Sequence, residues 1–376
     1  MEPIRVLQEN VIMDPGGIES LLMNLYRHMD RDVVQFDFLL HRPQKGTFDD
    51  EIESLGGRIY RTEPFNPFHH QKYLKSMEEV LRAHPEYKII HAHSELNYWP
   101  LKVAKKLRVP VRIAHSHNAR STINLKYFFL LYEKLFIKKA ASDLFMCSTI
   151  AGEWSYGPKA VADGKCVFLK NGIEVEKYAY DEKVRAEVRR KMGLGDKLVI
   201  GHVGRFMQQK NHGFLIDIFK NIHDKHPESV LLLVSEGRLL NEMKNKVSRL
   251  GLTDAVQFLG FRDDVHELMQ AMDVFVLPSL WEGLPFTLVE SQCAGLPSVI
   301  SDVISDEAIV TDVITKVSLK ETADKWADVI LEVYRNTKRK DISDQVRDGG
   351  FDIVSTARWL QEFYVKRYQD AVENNR

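Results

Sequence analysis

The stretch Ser279-Leu-Trp-Glu-Gly-Leu-Pro-Phe-Thr-Leu-Val-Glu-Ser-Gln-Cys-Ala-Gly-Leu-Pro297 sets two carboxylates, Glu282 and Glu290, about a Pro/Gly-containing loop and a helix that starts near Phe286 or Thr287. The first N–H groups of a helix have no partner inside it, so such a start is a ready seat for an anion, a diphosphate included. Carboxylates there do not bind phosphate, since like charges repel. They accept hydrogen bonds from hydroxyls, which a glycan or a ribose supplies in number. The competing reading is that Glu282 and Glu290 merely favour the helix N-terminus electrostatically. A second stretch, Gly201-His-Val-Gly-Arg-Phe-Met-Gln-Gln-Lys-Asn-His-Gly-Phe214, runs from a strand into a loop carrying Arg205 and Lys210, with Asn211 placed to cap the next helix. Each cation alone reads as a solvated surface charge. Together, beside an open helix start, they can neutralise a leaving diphosphate, the task a divalent metal performs in other enzymes.

Three further groups invite chemistry. Asp14-Pro-Gly-Gly-Ile-Glu19 is a Gly-Gly turn between a strand and its helix. It either admits a ligand close to the backbone or is a turn with no ligand. No GxGxxG occurs in the chain, so it is not a dinucleotide fingerprint. Histidines cluster as His91-Ala-His93 and His115-Ser-His117-Asn118, each pair near a strand end. Alternate residues share a face only while the strand lasts, and no carboxylate or thiol accompanies either pair. The expectation is therefore no metal, and neutral imidazoles that contact substrate hydroxyls. Asp30-Arg-Asp32 has the spacing of a metal-binding DxD but follows a helix end and reads as surface loop.

Composition bounds the partners. A length of 376 residues suits about two domains, and 44% apolar with 28% charged residues is ordinary for a globular chain. The net charge of −1 gives no sign of nucleic-acid binding. Locally the balance is +9, because ten Lys and Arg face the single Glu133 between Leu101 and Ala140. Within that span, aromatics alternate with lysines from Asn124 to Lys139. An amphipathic helix at a membrane rich in anionic head groups fits, as does a core-facing helix with a solvated basic face. Cys147, Cys166 and Cys293 are scattered without metal-ligand spacing. The opening MEPIRVLQEN is charged where a signal peptide is apolar, and no window nears the roughly 18 apolar residues of a membrane span. The expectation is a cytoplasmic protein whose membrane contact, through residues 120–139, is peripheral.

The elements that must position these groups alternate as short apolar runs and amphipathic helices, the pattern of parallel sheets covered by helices. Ile4–Leu7, Gln35–Leu40, Ile89–His93, Val111–His115 and Leu144–Ser148 read as strands of a first half, with Ile18–Met29 a helix. Asn171-Gly172-Ile173 marks a boundary. Lys197–Val203, Val230–Val234, Val256–Leu259, Val274–Leu277 and Ser298–Ser301 read as strands of a second half. Two successive α/β units, residues 1–172 and 173–355, imply a cleft, with ligands outside the carboxyl ends of strands. A last helix around Thr356–Val372 carries Trp359, Leu360, Phe363, Tyr364 and Tyr368, a face expected to pack back on the first half.

These residues resemble a known family. Arg205 and Lys210 in the Gly204-Arg205…Lys210-Asn211 loop resemble the diphosphate-binding pair of the retaining GT-B glycosyltransferases of family GT4. Glu282 and Glu290 reproduce its E-x7-E motif, the Gly16-Gly17 turn matches, and Pro110–Asn118 looks like the EpsF-like branch of exopolysaccharide and capsule synthesis. The match runs over nearly the whole chain. It implies two Rossmann-like domains and transfer of a hexose or N-acetylhexosamine from a UDP-linked sugar to a glycan acceptor carried on a polyprenyl diphosphate lipid. It also implies that no metal or other cofactor is used. Glu290 would accept from the nucleotide ribose and Glu282 from sugar hydroxyls. The amides of Gly283, Leu284, Phe286 and Thr287, with Pro285 between them, would face diphosphate and sugar. Arg205 and Lys210 would stabilise the departing nucleotide, and Gly17 would approach the donor from the other domain. A histidine of the first domain lies near the reacting sugar in this family. His117 is the first candidate and His115 the second, with Asn118 and His93 nearby. No side chain stands out as a covalent nucleophile, which fits the same-face mechanism proposed for the family. Val234-Ser235-Glu236-Gly237-Arg238 departs from the pattern, since glycine is common in the family at the place of Ser235. An epimerase or phosphorylase of this fold would release no glycoside or would need inorganic phosphate. A non-catalytic scaffold would have no need of all four charged residues.

Overall fold

In the computed structural model of the chain, residues 2–66, 70–94, 97–117 and 125–373 are described. They divide into two compact units, one made of residues up to Gly172 together with those from Ile353 on, the other of Ile173–Asp352.

The first unit holds a seven-stranded parallel sheet of β1 (Ile4–Asn10), β2 (Val34–Leu40), β3 (Ile59–Arg61), β4 (Ile89–Ala92), β5 (Val111–Ser116), β6 (Asp143–Met146) and β7 (Cys166–Phe168). Their order is β3-β2-β1-β4-β5-β6-β7. The central strands are buried along their length, as strands covered on both faces must be, and β2 buries all of Val-Gln-Phe-Asp-Phe-Leu-Leu. The one carboxylate in that run, Asp37, is matched by the Arg5 guanidinium at 2.5–2.6 Å and by the Tyr87 hydroxyl at 2.6 Å. The edge strands β3 and β7 have three half-buried residues each, too few for a periodicity to show, and sequence patterning missed both.

The C-terminal helix Ile353–Glu373 belongs to this unit. Ile353, Ala357, Leu360 and Tyr364 are buried. Phe363 meets Phe145 of β6 edge-on with centroids 5.0 Å apart. Arg367 reaches Asp143 at 2.9 Å. The expected apolar face thus finds its partner on the first sheet.

The second unit repeats the plan with six parallel strands, β8 (Leu198–Val203), β9 (Ser229–Val234), β10 (Val256–Gly260), β11 (Val274–Leu277), β12 (Ser298–Ser301) and β13 (Ile314–Val317). Their order is β10-β9-β8-β11-β12-β13. One core is continuous from Leu198, Ile200, Leu231 and Leu233 on the strands to Ile216, Phe219, Trp326 and Ile330 on the helices. In both sheets the order reverses at one place, between β1 and β4 and between β8 and β11. Chains leave the sheet there in opposite directions, which opens a crevice at the carboxyl ends, the place where ligands bind in such folds.

Candidate active site

The two charged stretches of the second half meet at that reversal point. The loop after β8 carries Gly204, Arg205 and the turn Gln208–Lys210, and the loop after β11 spans residues 278–285. Asn211 was expected to cap the helix His212–Lys225 and does not. Its backbone is left-handed (φ 57°), and its amide instead donates to the Pro278 carbonyl at 3.1 Å. Asparagine tolerates that conformation better than most residues. Leu280 N–H donates to the Gln209 carbonyl at 2.8 Å, and the Gln209 amide donates to the Trp281 carbonyl at 2.9 Å and to Glu282 at 3.1 Å. These bonds tie the loops into one piece. Nothing in the local sequence marked Gln209, because its partners lie more than 70 residues away.

Within this piece Lys210 Nζ lies 2.7 Å from Glu282 Oε1, with side-chain exposures of 14% and 6%. A cation and a carboxylate withdrawn from water this far hold each other at fixed positions, and each is available to a ligand that brings the complementary group. A Cβ at Gly204 would come within 3.0 Å of His202 Nε2 and 3.1 Å of the Lys210 stem, so only glycine leaves both side chains where they are. Arg205 is exposed. The helix after the second loop runs Phe286–Cys293, with Pro285 at its N-cap. Its first-turn N–H groups lie beside the buried Thr287 hydroxyl, which has no partner among the described residues. An amide cluster plus an unused hydroxyl forms a donor set for phosphate oxygens. Gly283 is half-buried and Leu284 buried in the same loop.

Glu290, one turn further, is held by a residue far away in the chain. The Tyr178 hydroxyl donates to Glu290 Oε1 at 2.8 Å, across 112 residues of chain. Burial pushes the Glu290 carboxyl up to about 7, while the Tyr178 bond and the Lys177 charge pull it back. Two histidines, His202 and His212, also line this region with ring centroids 4.7 Å apart. The ring of His212 stacks on Phe206 at 4.1 Å, and burial lowers it to about 4, so it stays neutral. Ser235, where glycine is the family's habit, sits at φ 124°, a backbone region that suits glycine and strains serine.

In the first unit, Gly16 is the extended N-cap of the helix Gly17–His28 (φ −167°). It makes no left-handed turn. A Cβ there would strike the Glu19 carboxylate, which the Asn10 amide holds at 3.1 Å. The histidine pairs, read as separate features of two strands, form one cluster. His91 lies in β4 and His115 in β5, and His93 and His117 each follow one residue past a strand end on the same face. Ring centroids are 4.1 Å apart for His91 and His93 and 3.9 Å for His115 and His117. Desolvation holds all four imidazoles neutral, with His117 lowered to about 3. Asn118 lies outside the described residues. Asp30-Arg-Asp32 is a turn in which Asp32 N–H donates to Asp30 Oδ1 at 3.1 Å.

The helix Leu125–Ala140 buries one face in the first unit and leaves apolar side chains exposed on another. Leu130, Ile137 and Ala140 are buried, and Tyr132 stacks on Trp99 at 6.1 Å. Phe128 and Leu135 stay 62% and 69% exposed. Lys134 lies over the Trp154 ring at 3.0 Å. No helix of the described residues is long and apolar enough to cross a membrane.

Comparison with known proteins places this architecture. Residues 184–348 match the family model for glycosyl transferases group 1, and residues 16–172 match that for a glycosyl transferase 4-like domain. The chain is 34% identical over 369 residues to EpsF of Bacillus subtilis, assigned as a glycosyltransferase, with 96% of each chain covered. It is 26% identical to the UDP-Gal:alpha-D-GlcNAc-diphosphoundecaprenol alpha-1,3-galactosyltransferase of Escherichia coli, with 78% of this chain and 79% of that one covered. Among solved structures, Anabaena HepE in complex with UDP and glucose matches with a TM-score of 0.81 at 20% identity, covering 96% of this chain and 99% of that one. A fold of two parallel-sheet units, the four charged residues gathered at one reversal point and full-length similarity to EpsF lead to one conclusion: the chain is a glycosyltransferase of group 1, family GT4, built on the GT-B fold.

Proposed function

We propose that this enzyme is a retaining transferase that needs no metal and moves a hexose or N-acetylhexosamine from a UDP-sugar to a polyprenyl-diphosphate-linked glycan in exopolysaccharide or capsule synthesis. The observation that carries the reading is the shielded Lys210–Glu282 pair beside an open helix start. It offers a fixed cation to a diphosphate and a fixed carboxylate to sugar hydroxyls. Arg205 adds a second positive charge, and the N–H groups of Gly283, Leu284, Phe286 and Thr287 with the Thr287 hydroxyl take phosphate oxygens. Glu290 accepts from the ribose. The acceptor hydroxyl bonds to the anomeric carbon as the bond from that carbon to the β-phosphate oxygen breaks. The departing phosphate takes the acceptor proton, so the new bond forms on the face the old one left. His117, with His115, His93 and Asn118, is assigned to hydroxyls of sugar or acceptor, and Gly16 and Gly17 to close backbone approach.

UDP as the nucleotide is supported by the ligand of HepE, and a lipid-linked acceptor by the name of the Escherichia coli relative. The exposed Phe128 and Leu135, on a helix whose polar face is basic, suit an anionic membrane surface at the cytoplasmic side. The test is a panel of nucleotide sugars with purified enzyme in EDTA, following transfer or hydrolysis and UDP release. The expected result is turnover of one UDP-sugar that survives EDTA and collapses in Lys210→Ala and Glu282→Ala. No turnover and no thermal shift with any nucleotide would sink the reading.

A further inference from the structure

The histidine cluster of the first unit holds more nitrogen than its hydrogen bonds use. His91, His93 and His115 are 1–2% exposed, and among the described residues one ring nitrogen from each lies within 4.8 Å of the others. His91 Nε2 and both nitrogens of His115 are buried without a partner among the described residues. An unpaired buried polar group is costly, and three in one place call for something to satisfy them.

Two of the engaged nitrogens are held from outside the cluster, and one hydrogen bond, between His93 Nδ1 and His117 Nε2, lies within it and would give way to an ion. His91 Nδ1 lies 2.6 Å from the Tyr364 hydroxyl, and His93 Nε2 lies 2.9 Å from Gln8 Oε1. The Gln8 amide in turn donates to Tyr364 at 3.3 Å. Each contact fixes one side of a ring and turns the other nitrogen inward, the arrangement by which hydrogen bonds from behind orient histidine ligands of a metal. The inward atom of His93, Nδ1, lies 3.0 Å from His117 Nε2. Two nitrogens bound tetrahedrally to one ion at about 2.0–2.1 Å stand about 3.3 Å apart, so this spacing needs little adjustment. The backbone makes the set possible. Alternate residues of β4 and β5 face one way, and the pairing of His91 with Ile113 and Ala92 with Ala114 brings His93 beside His115.

We propose that His91, His93, His115 and His117 form a binding site for a divalent transition metal of the zinc, cobalt, nickel and copper class, with Tyr364 and Gln8 orienting the ligands. Neutral imidazole is the form that binds metal, and an all-nitrogen set disfavours magnesium and manganese, which take oxygen. His117 is only half-buried and follows a strand end, which gives the ion a route in. The site shares no residue with the diphosphate-binding loops of the second unit and asks no catalytic role of the ion, but it takes His93, His115 and His117, so an occupied site would withdraw their coordinating nitrogens from the sugar or acceptor contacts proposed above. Its occupancy would cross-brace β4, β5 and, through Tyr364, the C-terminal helix.

The test uses untagged full-length enzyme stripped with chelator and titrated with Co²⁺, then with Zn²⁺ as competitor. The expected result is one Co²⁺ per chain with the visible bands of a four-coordinate nitrogen site, displaced by Zn²⁺, and a melting temperature that rises with metal concentration. His91→Gln and His115→Gln should each weaken binding at least ~10-fold, and Tyr364→Phe, which touches no metal, about 10- to 100-fold. X-ray absorption on the wild-type zinc complex reads the shell without any variant, and three or four imidazoles are expected. The proposal is overturned by the absence of one-equivalent binding, by a shell with fewer than three imidazoles, or by affinity unchanged in all three folded variants. None of these readouts depends on transfer, so the assignment of the donor site stands or falls separately.

Discussion

Replacing Tyr178 by phenylalanine removes one hydrogen bond from the Glu290 carboxylate, which the proposed function sets against the ribose. The hydroxyl donates to Glu290 Oε1 at 2.8 Å, and burial has already pushed that carboxyl from an ordinary 4.5 to about 7. Hydrogen bonds to charged groups contribute about 1.5–3 kcal/mol, and one pKa unit is about 1.4 kcal/mol. Losing the bond should therefore raise the Glu290 titration by about 1–2 units, to well above neutrality. Only the ionised carboxylate accepts from both ribose hydroxyls, so nucleotide affinity in the wild type should climb as pH rises through 7. In Tyr178→Phe the same climb should occur 1–2 units later. The assay is UDP affinity by calorimetry between pH 5.5 and 9, with donor KM and kcat measured beside it; KM should carry the shift and kcat little of it. A second readout is stability without ligand. A carboxyl raised in the folded state favours folding while protonated, and that contribution is lost as pH rises from 4.5 through 7. Glu290→Gln should thus melt higher than wild type at pH 8, with the gap narrowing at pH 5. Coincident affinity profiles for wild type and Tyr178→Phe would refute the reasoning.

Other expectations follow from single contacts. Lys210→Met leaves the Glu282 carboxylate, 6% exposed, without its cation, which should cost about 3–5 kcal/mol of stability in addition to turnover. The double variant Lys210→Met/Glu282→Gln should recover most of the stability in chemical denaturation and none of the turnover. Ser235→Gly relieves a φ of 124° and should stabilise by about 1–2 kcal/mol, seen as a melting temperature raised by a few degrees. Phe128→Ser with Leu135→Ser removes two exposed apolar side chains, and co-sedimentation with anionic vesicles should fall several-fold while UDP affinity is unchanged.

Local features are already legible in the order of the residues. The buried strands appear in it as apolar runs, because a strand covered on both faces has no polar side to show. The two charged loops are legible as well, since Gly204 to Lys210 and Glu282 to Glu290 are each short runs close in the chain. It also fixed that the last helix must bury an aromatic face. Tertiary structure alone decided who meets whom. Tyr178 reaches Glu290 across 112 residues, Gln209 crosses to Glu282 across 73, and Tyr364 closes on His91 across 273. None of these pairings leaves a periodic trace, because each depends on which strands the fold sets side by side. Asn211 shows the same limit. Its type and place suit a helix cap, yet the Pro278 carbonyl of the neighbouring loop claims its amide. The histidines show it most clearly, since two pairs 24 residues apart carry no sign of each other until β4 and β5 pair in register and turn all four rings to one face.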